Sequence, residues 1–470
     1  MRLKSLHLKN FRCFSDLTVN FDPKMTVIIA ENGKGKTAVL DAIATGFGRY
    51  LTKLGKKGQT LKQFDIQVLS QERLAPYAAL TIEIEKTSAH EPDALVWSLS
   101  RKHNPASSID TPLAGTKSID AFATQLLQKQ ESGLTPPFPL VVYYGTNRGI
   151  LGEVQRRRNF KKKFTPLDAL DGALEPTARF KAAFEWFNAM EDEERREKEK
   201  RKDFSYRLPQ LEYVRSAIER ALTHLPAEGV FGAGASPVLF SNPRTETRPL
   251  RFVIDQHTSE GQRTLRINQL SDGYRIVLGL VMDLARRQAE AFSFSPQIVA
   301  GFGAWPTIVL IDEVDLHLHP RWQQVVLLQL QNIFSSTQFI VTTHSPQVLT
   351  SVEATCIRKL VPHTNPDTGA QTVVAENVSC QTRGVASADV LARIMKVDPV
   401  PDVPEARQLA DYHRLIQQNL HESDDGQVLR QALNTHFGPN HPVMHECDRI
   451  IRLQAFKQRL PVQRATAGQG

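Results

Sequence analysis

Residues 25–30, MTVIIA, run straight into ENGKGKTAVLDAIATGF, and the change of pattern there constrains the fold more than any other stretch of the chain. The first part is apolar and β-branched, as a buried strand requires. The last part spaces Val39, Leu40, Ile43 and Ala44 along one face of a helix. Between them stands a glycine loop. Successive backbone N–H groups in such a loop, together with the helix N-terminus behind it, form a nest for an anion. Ala30-Glu31-Asn32-Gly33-Lys34-Gly35-Lys36-Thr37 fits the pattern GxxxxGK[ST], with Ala30 where the first glycine is expected. Asn32, Gly33, Lys34 and Gly35 would then cradle the phosphates of ATP. Lys36 would neutralise β- and γ-oxygens, and the Thr37 hydroxyl would hold Mg²⁺. The Ala30 methyl is expected to crowd the first turn.

A second apolar strand, Thr307 to Ile311, ends in Asp312 and Glu313 and presents paired acids at a sheet edge. Asp312 would ligate Mg²⁺ through water, and Glu313 would orient or deprotonate an attacking water. A third, QFIVTT, ends in His344, thirty-two residues after Asp312, where an imidazole can reach a γ-phosphate. A fourth motif, Leu270-Ser271-Asp272-Gly273-Tyr274-Arg275, precedes a helix. Ser271 and the Gly273 amide make a second anion site, yet the loop already has its own. The nucleotide for that second site must come from elsewhere, which implies a head-to-tail dimer with each ATP between one loop and the mate's serine.

Taken in order, these four motifs resemble an ABC-type ATPase of the RecF/SMC/OLD-like group, on LHLKNFRCF, AENGKGKT, LSDGYR, DEVDLHLHP and TTHS. The resemblance implies an α/β P-loop ATPase head with a mixed sheet, a helical lobe insert and a mostly helical C-terminal extension. By the same likeness Arg12 would lie near adenine or ribose, and Asp315 would face the partner's site. Asp272 and Tyr274 replace the glycine and glutamine of LSGGQ. No glutamine is evident after the strand that ends in Tyr143-Tyr144-Gly145, so the coupling role usual there has no candidate.

The divisions expected are 1–148, an N-terminal lobe with the phosphate loop; 149–265, a helical and basic insert; 266–355, the signature, acid strand and histidine strand; and 356–470, an extension for assembly or docking. Residues 100–136 read as a surface excursion. Glu191 to Lys202 carries six acids and six bases with no apolar face and reads as a solvated helix or hinge with local ion pairing. Arg156, Arg157, Arg158, Lys161, Lys162 and Lys163 put six cations into eight residues, for which a solvated loop and a nucleic-acid contact both stand open.

Only about 120 residues separate the YYGTNR strand from the signature, too few for the heptads of a chromosome clamp. Beyond Ser345 no apolar strand ends in a DxD pair, so no nuclease of its own is expected. With that short insert, the sequence resembles the ATPase of Septu antiphage systems, PtuA, and its retron-associated relatives. That likeness implies dimers or larger oligomers of dimers and a separate HNH nuclease, PtuB-like, held in check by the ATP-regulated ATPase. DNA or a retron-derived nucleic acid is a further ligand it implies. The alternatives are a RecF-like repair ATPase that binds DNA directly and a catalytically silent scaffold.

The net charge of +8 favours an anionic partner. Scattered Cys13, Cys356, Cys380 and Cys447, with no secretory or membrane-spanning stretch, read as cytoplasmic, without a membrane partner. His436, His441, His445 and Cys447 match no common zinc spacing, and no metal is assigned to them.

Overall fold

The computed structural model describes residues 1–70, 73–85, 94–133, 136, 138–147, 164–176, 180–223, 238–247, 250–292, 307–364 and 371–459. The cationic block from Arg156 to Lys163 lies outside the described residues, as does Arg148.

Four short apolar runs make the centre of the main sheet. Met25–Ile29, Leu140–Tyr144, Thr307–Ile311 and Thr337–Thr342 are buried at every position. Continuous rather than alternating apolarity is what a parallel strand covered on both faces needs. The sheet runs Gln371–Asn377, Ile357–Thr364, Met25–Ile29, Thr337–Thr342, Thr307–Ile311, Leu140–Tyr144, and only its first strand is antiparallel to its neighbour. This is the mixed α/β sheet of a P-loop ATPase head. It brings the ends of the loop strand, the histidine strand and the acid strand side by side.

A second, antiparallel sheet pairs Phe14–Asn20, Arg2–Phe11, Tyr77–Glu85 and Ala94–Lys102. The helix Lys36–Lys53 shares one apolar core with both sheets, including Leu80 and Ile82 from one and Ile28, Leu310 and Ile340 from the other. The helix that carries the phosphate loop is therefore packed between the two sheets.

Three features differ from the sequence reading. The stretch read as a surface excursion holds the helix Lys117–Glu131, whose Ile119, Ala123 and Leu126 join the core at helical spacing. Arg49 on the loop helix fixes it through a two-pronged pair with Asp120 at 2.7 and 2.8 Å. The highly charged segment is the second half of the helix Phe180–Arg201, but it is not wholly solvated. Glu191 and Glu194 are buried and accept from Arg215 at 3.2 and 3.1 Å, with Thr245 N and Leu208 N also donating to them. Lys198 adds a local bond to Glu194 at 3.1 Å, but Leu208, Arg215 and Thr245 lie 14 to 54 residues from the acids they meet, so the inward placement of the acidic face had no local sign. The insert also contains strands Leu239–Thr247, Leu250–Thr258 and Gly261–Arg266 as a separate antiparallel sheet, the middle one at PLRFVIDQ, which reads as strand-like in the sequence.

The helix after the signature, Asp272–Ala291, is buried nearly all round rather than amphipathic. Its charges are absorbed by one another. Asp283 accepts from Arg286 at 2.8 Å and Arg287 at 2.8 Å, Arg286 also bonds Glu290 at 2.7 Å, and Arg287 reaches the carbonyls of Ala169 and Asp171. Burial works to raise the Asp283 carboxyl, and the two guanidiniums outweigh it and hold it down at about 2.

By density of contacts the chain divides at Val390/Leu391. Strands Ile357–Thr364 and Gln371–Asn377, inside the stretch read as the C-terminal extension, thus complete the main sheet. The second unit contains helices Pro404–Gln417, Asp424–Phe437 and Pro442–Arg459 around Tyr412, Ile416, Leu433, Met444 and Cys447. Among the described residues no helix is long and apolar enough to cross a membrane, and no group of three His, Cys, Asp or Glu is placed to hold a metal ion.

Candidate nucleotide site

The phosphate loop follows Met25–Ile29 without a break and turns through left-handed backbone at Gly33 (φ +76°) and Gly35 (φ +91°). Side chains oppose that conformation, so these two positions need glycine. Gly35 has a further reason. A Cβ there would lie 2.3 Å from Phe14 Cζ and 2.6 Å from Cys13 Sγ. Ala30 takes no left-handed backbone and rests its methyl on the core, so the substituted first position is accommodated without the crowding expected of it.

Lys36 is 7% exposed, and its Nζ donates to the carbonyls of Ala30 at 2.9 Å and Glu31 at 3.3 Å. The ammonium thus sits inside the loop it belongs to, where phosphate oxygens would replace those carbonyls. Burial lowers its pKa, against the pull of Asp312, Glu313 and Asp315. Asn32 and Thr37 are exposed beside it, and the Lys34 amide closes a turn on the Glu31 carbonyl at 3.3 Å.

Asp312 lies 2% exposed just beyond the acid strand. Its Oδ2 accepts from Thr37 Oγ1 at 2.8 Å, its Oδ1 from Thr342 Oγ1 at 2.6 Å, and its amide donates to the Tyr144 carbonyl at 2.8 Å. A hydroxyl and a carboxylate in direct contact beside a lysine-bearing loop are the donor set that suits Mg²⁺ on a triphosphate, and the residues fit that ion. Glu313 takes a left-handed backbone (φ +47°), unfavourable for a side-chain-bearing residue and held here by its amide donating to Thr342 Oγ1 at 2.8 Å. Asp315 accepts from Thr343 Oγ1 at 2.6 Å within its own chain. His344 follows, half-buried.

The two threonines of TTHS were not singled out from sequence, although they are what ties the histidine strand to all three acids. Their signal was position alone: a hydroxyl pair ending the strand hydrogen-bonded to the acid strand.

Arg12 is engaged by carboxylates, with Nη1 donating to Asp41 at 2.6 Å and Nε to Asp65 at 2.8 Å. Asp41 stands on the loop helix and also accepts from Tyr143 OH at 3.0 Å. This cluster, too, was missed in the sequence, since its bonded pairs lie 29 to 102 residues apart.

Ser271 occupies the N-cap position of Asp272–Ala291 with extended backbone and makes no capping bond. The first turn of that helix leans on Trp322. A Cβ at Gly273 would meet Trp322 Cζ3 at 2.6 Å, and the Tyr274 ring stands edge-on to the same indole at 4.4 Å, with Phe240 at 5.5 Å. Tyr274 is thus a packing residue, which accounts for an aromatic ring where glutamine is usual. Gly273→Ala must displace the indole and is expected to destabilise the protein by about 1–3 kcal/mol, the cost typical of overpacking, read as a lowered melting temperature. The structure brings Lys36, Thr37, Asp312, Glu313, Asp315 and His344 to one sheet edge through adjacent strands. Ser271 and Gly273 stand at the head of a different helix, and Arg12 in the turn between strands Arg2–Phe11 and Phe14–Asn20.

A glycine loop with an inward lysine, a threonine–aspartate pair and a following glutamate on a parallel sheet define the head of a P-loop ATPase. Residues 5–225 match the family described as AAA domain and residues 150–349 that described as AAA ATPase domain. The chain is 25% identical over 490 aligned positions to the retron Ec83 probable ATPase of Escherichia coli, covering 95% of this chain and 86% of that protein. It is 24% identical over 458 positions to the retron Vc95 probable ATPase of Vibrio cholerae, covering 88% and 87%. Against the Septu protein PtuA of Bacillus thuringiensis the identity is 26% over 234 positions, 48% of this chain and 54% of that one. The chain thus carries a P-loop ATPase head matched by AAA domain families, and retron ATPases and Septu PtuA are among its homologues.

Proposed function

We propose that the chain is the ATP-binding and ATP-hydrolysing subunit of an antiphage defence complex, forming head-to-tail dimers around ATP and regulating a separate HNH-type DNA nuclease. The observation that carries the nucleotide part is the contact of Thr37 with Asp312, and of both acids' strand with Thr342, beside the buried Lys36. Lys36 and the loop amides bind the triphosphate. Thr37 and Asp312 would hold Mg²⁺, which neutralises phosphate charge when bound. Glu313 takes a proton from water, His344 reports the γ-phosphate, and Arg12 lies against the base or ribose. Ser271 and Gly273 of one copy complete the site of the other, and Asp315 faces across the same seam.

Retron ATPases and a Septu protein among the homologues support the defence reading and the partner nuclease. The C-terminal unit is the element assigned to docking, since Leu453 and Phe456 on Pro442–Arg459 stay exposed while Ile450 and Ile451 pack inward. Restraint of a partner requires ATP to bind one arrangement more tightly than the other. The test is DNA cleavage by the ATPase purified with its neighbouring nuclease, with and without ATP. A rate that differs by tenfold or more supports regulation. An identical rate sinks it, and duplex DNA binding by the ATPase alone, steeply salt-dependent, would favour the repair-type alternative.

A further inference from the structure

The strand Leu140–Tyr144 ends in two tyrosines whose hydroxyls leave opposite faces of the main sheet. Tyr143 donates at 3.0 Å to Asp41 on the phosphate-loop helix, and Asp41 in turn holds Arg12 at 2.6 Å. Tyr144 donates at 2.9 Å to Asp283 on the signature helix. Between the two side chains, the Tyr144 carbonyl accepts the amide of Asp312 at 2.8 Å. One dipeptide therefore touches the loop helix, the magnesium-side acid and the helix that begins with Ser271.

The signature helix is bonded to this strand end through Asp283, and further along Gln288 donates to Thr307 at 3.0 Å and Thr337 at 3.1 Å at the start of the acid and histidine strands. Asp283 is 1% exposed and bonded to Arg286 and Arg287, and Arg287 also donates to the Ala169 and Asp171 carbonyls. Those bonds make residues 283–291 a rigid block. Ser271 lies twelve residues earlier, about 18 Å along the same helix at 1.5 Å per residue, so a small tilt at Asp283 moves the serine.

We propose that Tyr143 and Tyr144 are the positioning residues that couple nucleotide at the loop to the signature serine. The inference rests on the head-to-tail reading above, in which the serine so moved serves the mate's ATP. Tyr144→Phe removes one oxygen and leaves Asp283 its two arginines, so the fold is retained.

The comparison variant is Tyr213→Phe. Tyr213 OH donates at 2.6 Å to Gln288 on the same helix but has no tie to that strand end, so it loses a similar buried bond without cutting the link. All variants are made in a Glu313→Gln background, and ATP affinity, ATP-driven self-association and melting temperature are measured. Tyr143→Phe and Tyr144→Phe are expected to keep ATP affinity within about twofold while weakening self-association by about tenfold or more, with Tyr213→Phe unchanged in both. Either tyrosine variant associating as its parent does, or Tyr213→Phe weakening association equally, overturns the coupling. If the parent itself does not associate with ATP, the head-to-tail reading fails, and amide exchange over 283–291 decides the coupling separately. ATP-dependent protection present in the parent and absent in Tyr144→Phe upholds it. No response in the parent overturns it.

Discussion

Glu313→Gln is expected to reduce ATP turnover by at least about a hundredfold and to leave ATP binding within about twofold. A general base is worth roughly 10²–10⁴ in rate, and an amide of the same shape cannot accept the proton. The position supports so specific an effect. Glu313 follows a fully buried strand, and its unfavourable backbone is held by Thr342, whose own hydroxyl is bonded to Asp312. The backbone that carries the carboxylate is therefore held by neighbours that the substitution leaves untouched. Steady-state phosphate release and a fluorescent-ATP titration on the same preparation separate the two quantities. Unchanged turnover, already near zero in the parent, would mean that the protein holds ATP without hydrolysing it and is the silent scaffold.

Lys36→Ala lowers ATP affinity by about thirtyfold or more. Bonds between an ammonium and phosphate oxygens are each worth about 1.5–3 kcal/mol, and Lys36 carries the buried ammonium of the loop. In the absence of nucleotide the same ammonium is satisfied by the Ala30 and Glu31 carbonyls. Both residues sit on a loop that water reaches, Glu31 being exposed, so those carbonyls rehydrate when the ammonium goes. The melting temperature of the free protein should therefore change little, and only its ATP-induced rise should vanish. A thermal melt with and without MgATP checks both statements.

Much of this was legible because it depends on local pattern. The buried parallel strands read as unbroken apolar runs, the loop as glycines between a strand and a helix, and the acids as the end of TIVLI. What escaped depends on partners remote in sequence. The burial of Asp283, Arg286, Arg287 and Glu290 is possible only because they face one another and Tyr144, and a helix with such charges looks amphipathic when read alone. Glu191 and Glu194 looked solvated until Arg215, Leu208 and Thr245 met them. Tyr274 looked like a defect in the signature, and the reason for it is Trp322, forty-eight residues on. The Lys117–Glu131 helix had the right spacing at Ile119, Ala123 and Leu126 but was outweighed by the polar residues before it.

The account depends on Ser271 acting on the other copy's ATP. Two preparations, one carrying Lys36→Ala and the other Ser271→Arg, should each be inactive in ATP hydrolysis, because every site in either dimer lacks one half. Mixed in equal amounts, they form heterodimers in which one site regains Lys36 from one chain and Ser271 from the other. Random exchange gives intact sites in about a quarter of positions, and hydrolysis should return to roughly that fraction of the unmodified protein. A mixture as inactive as its components, from chains shown to exchange, would contradict the shared site.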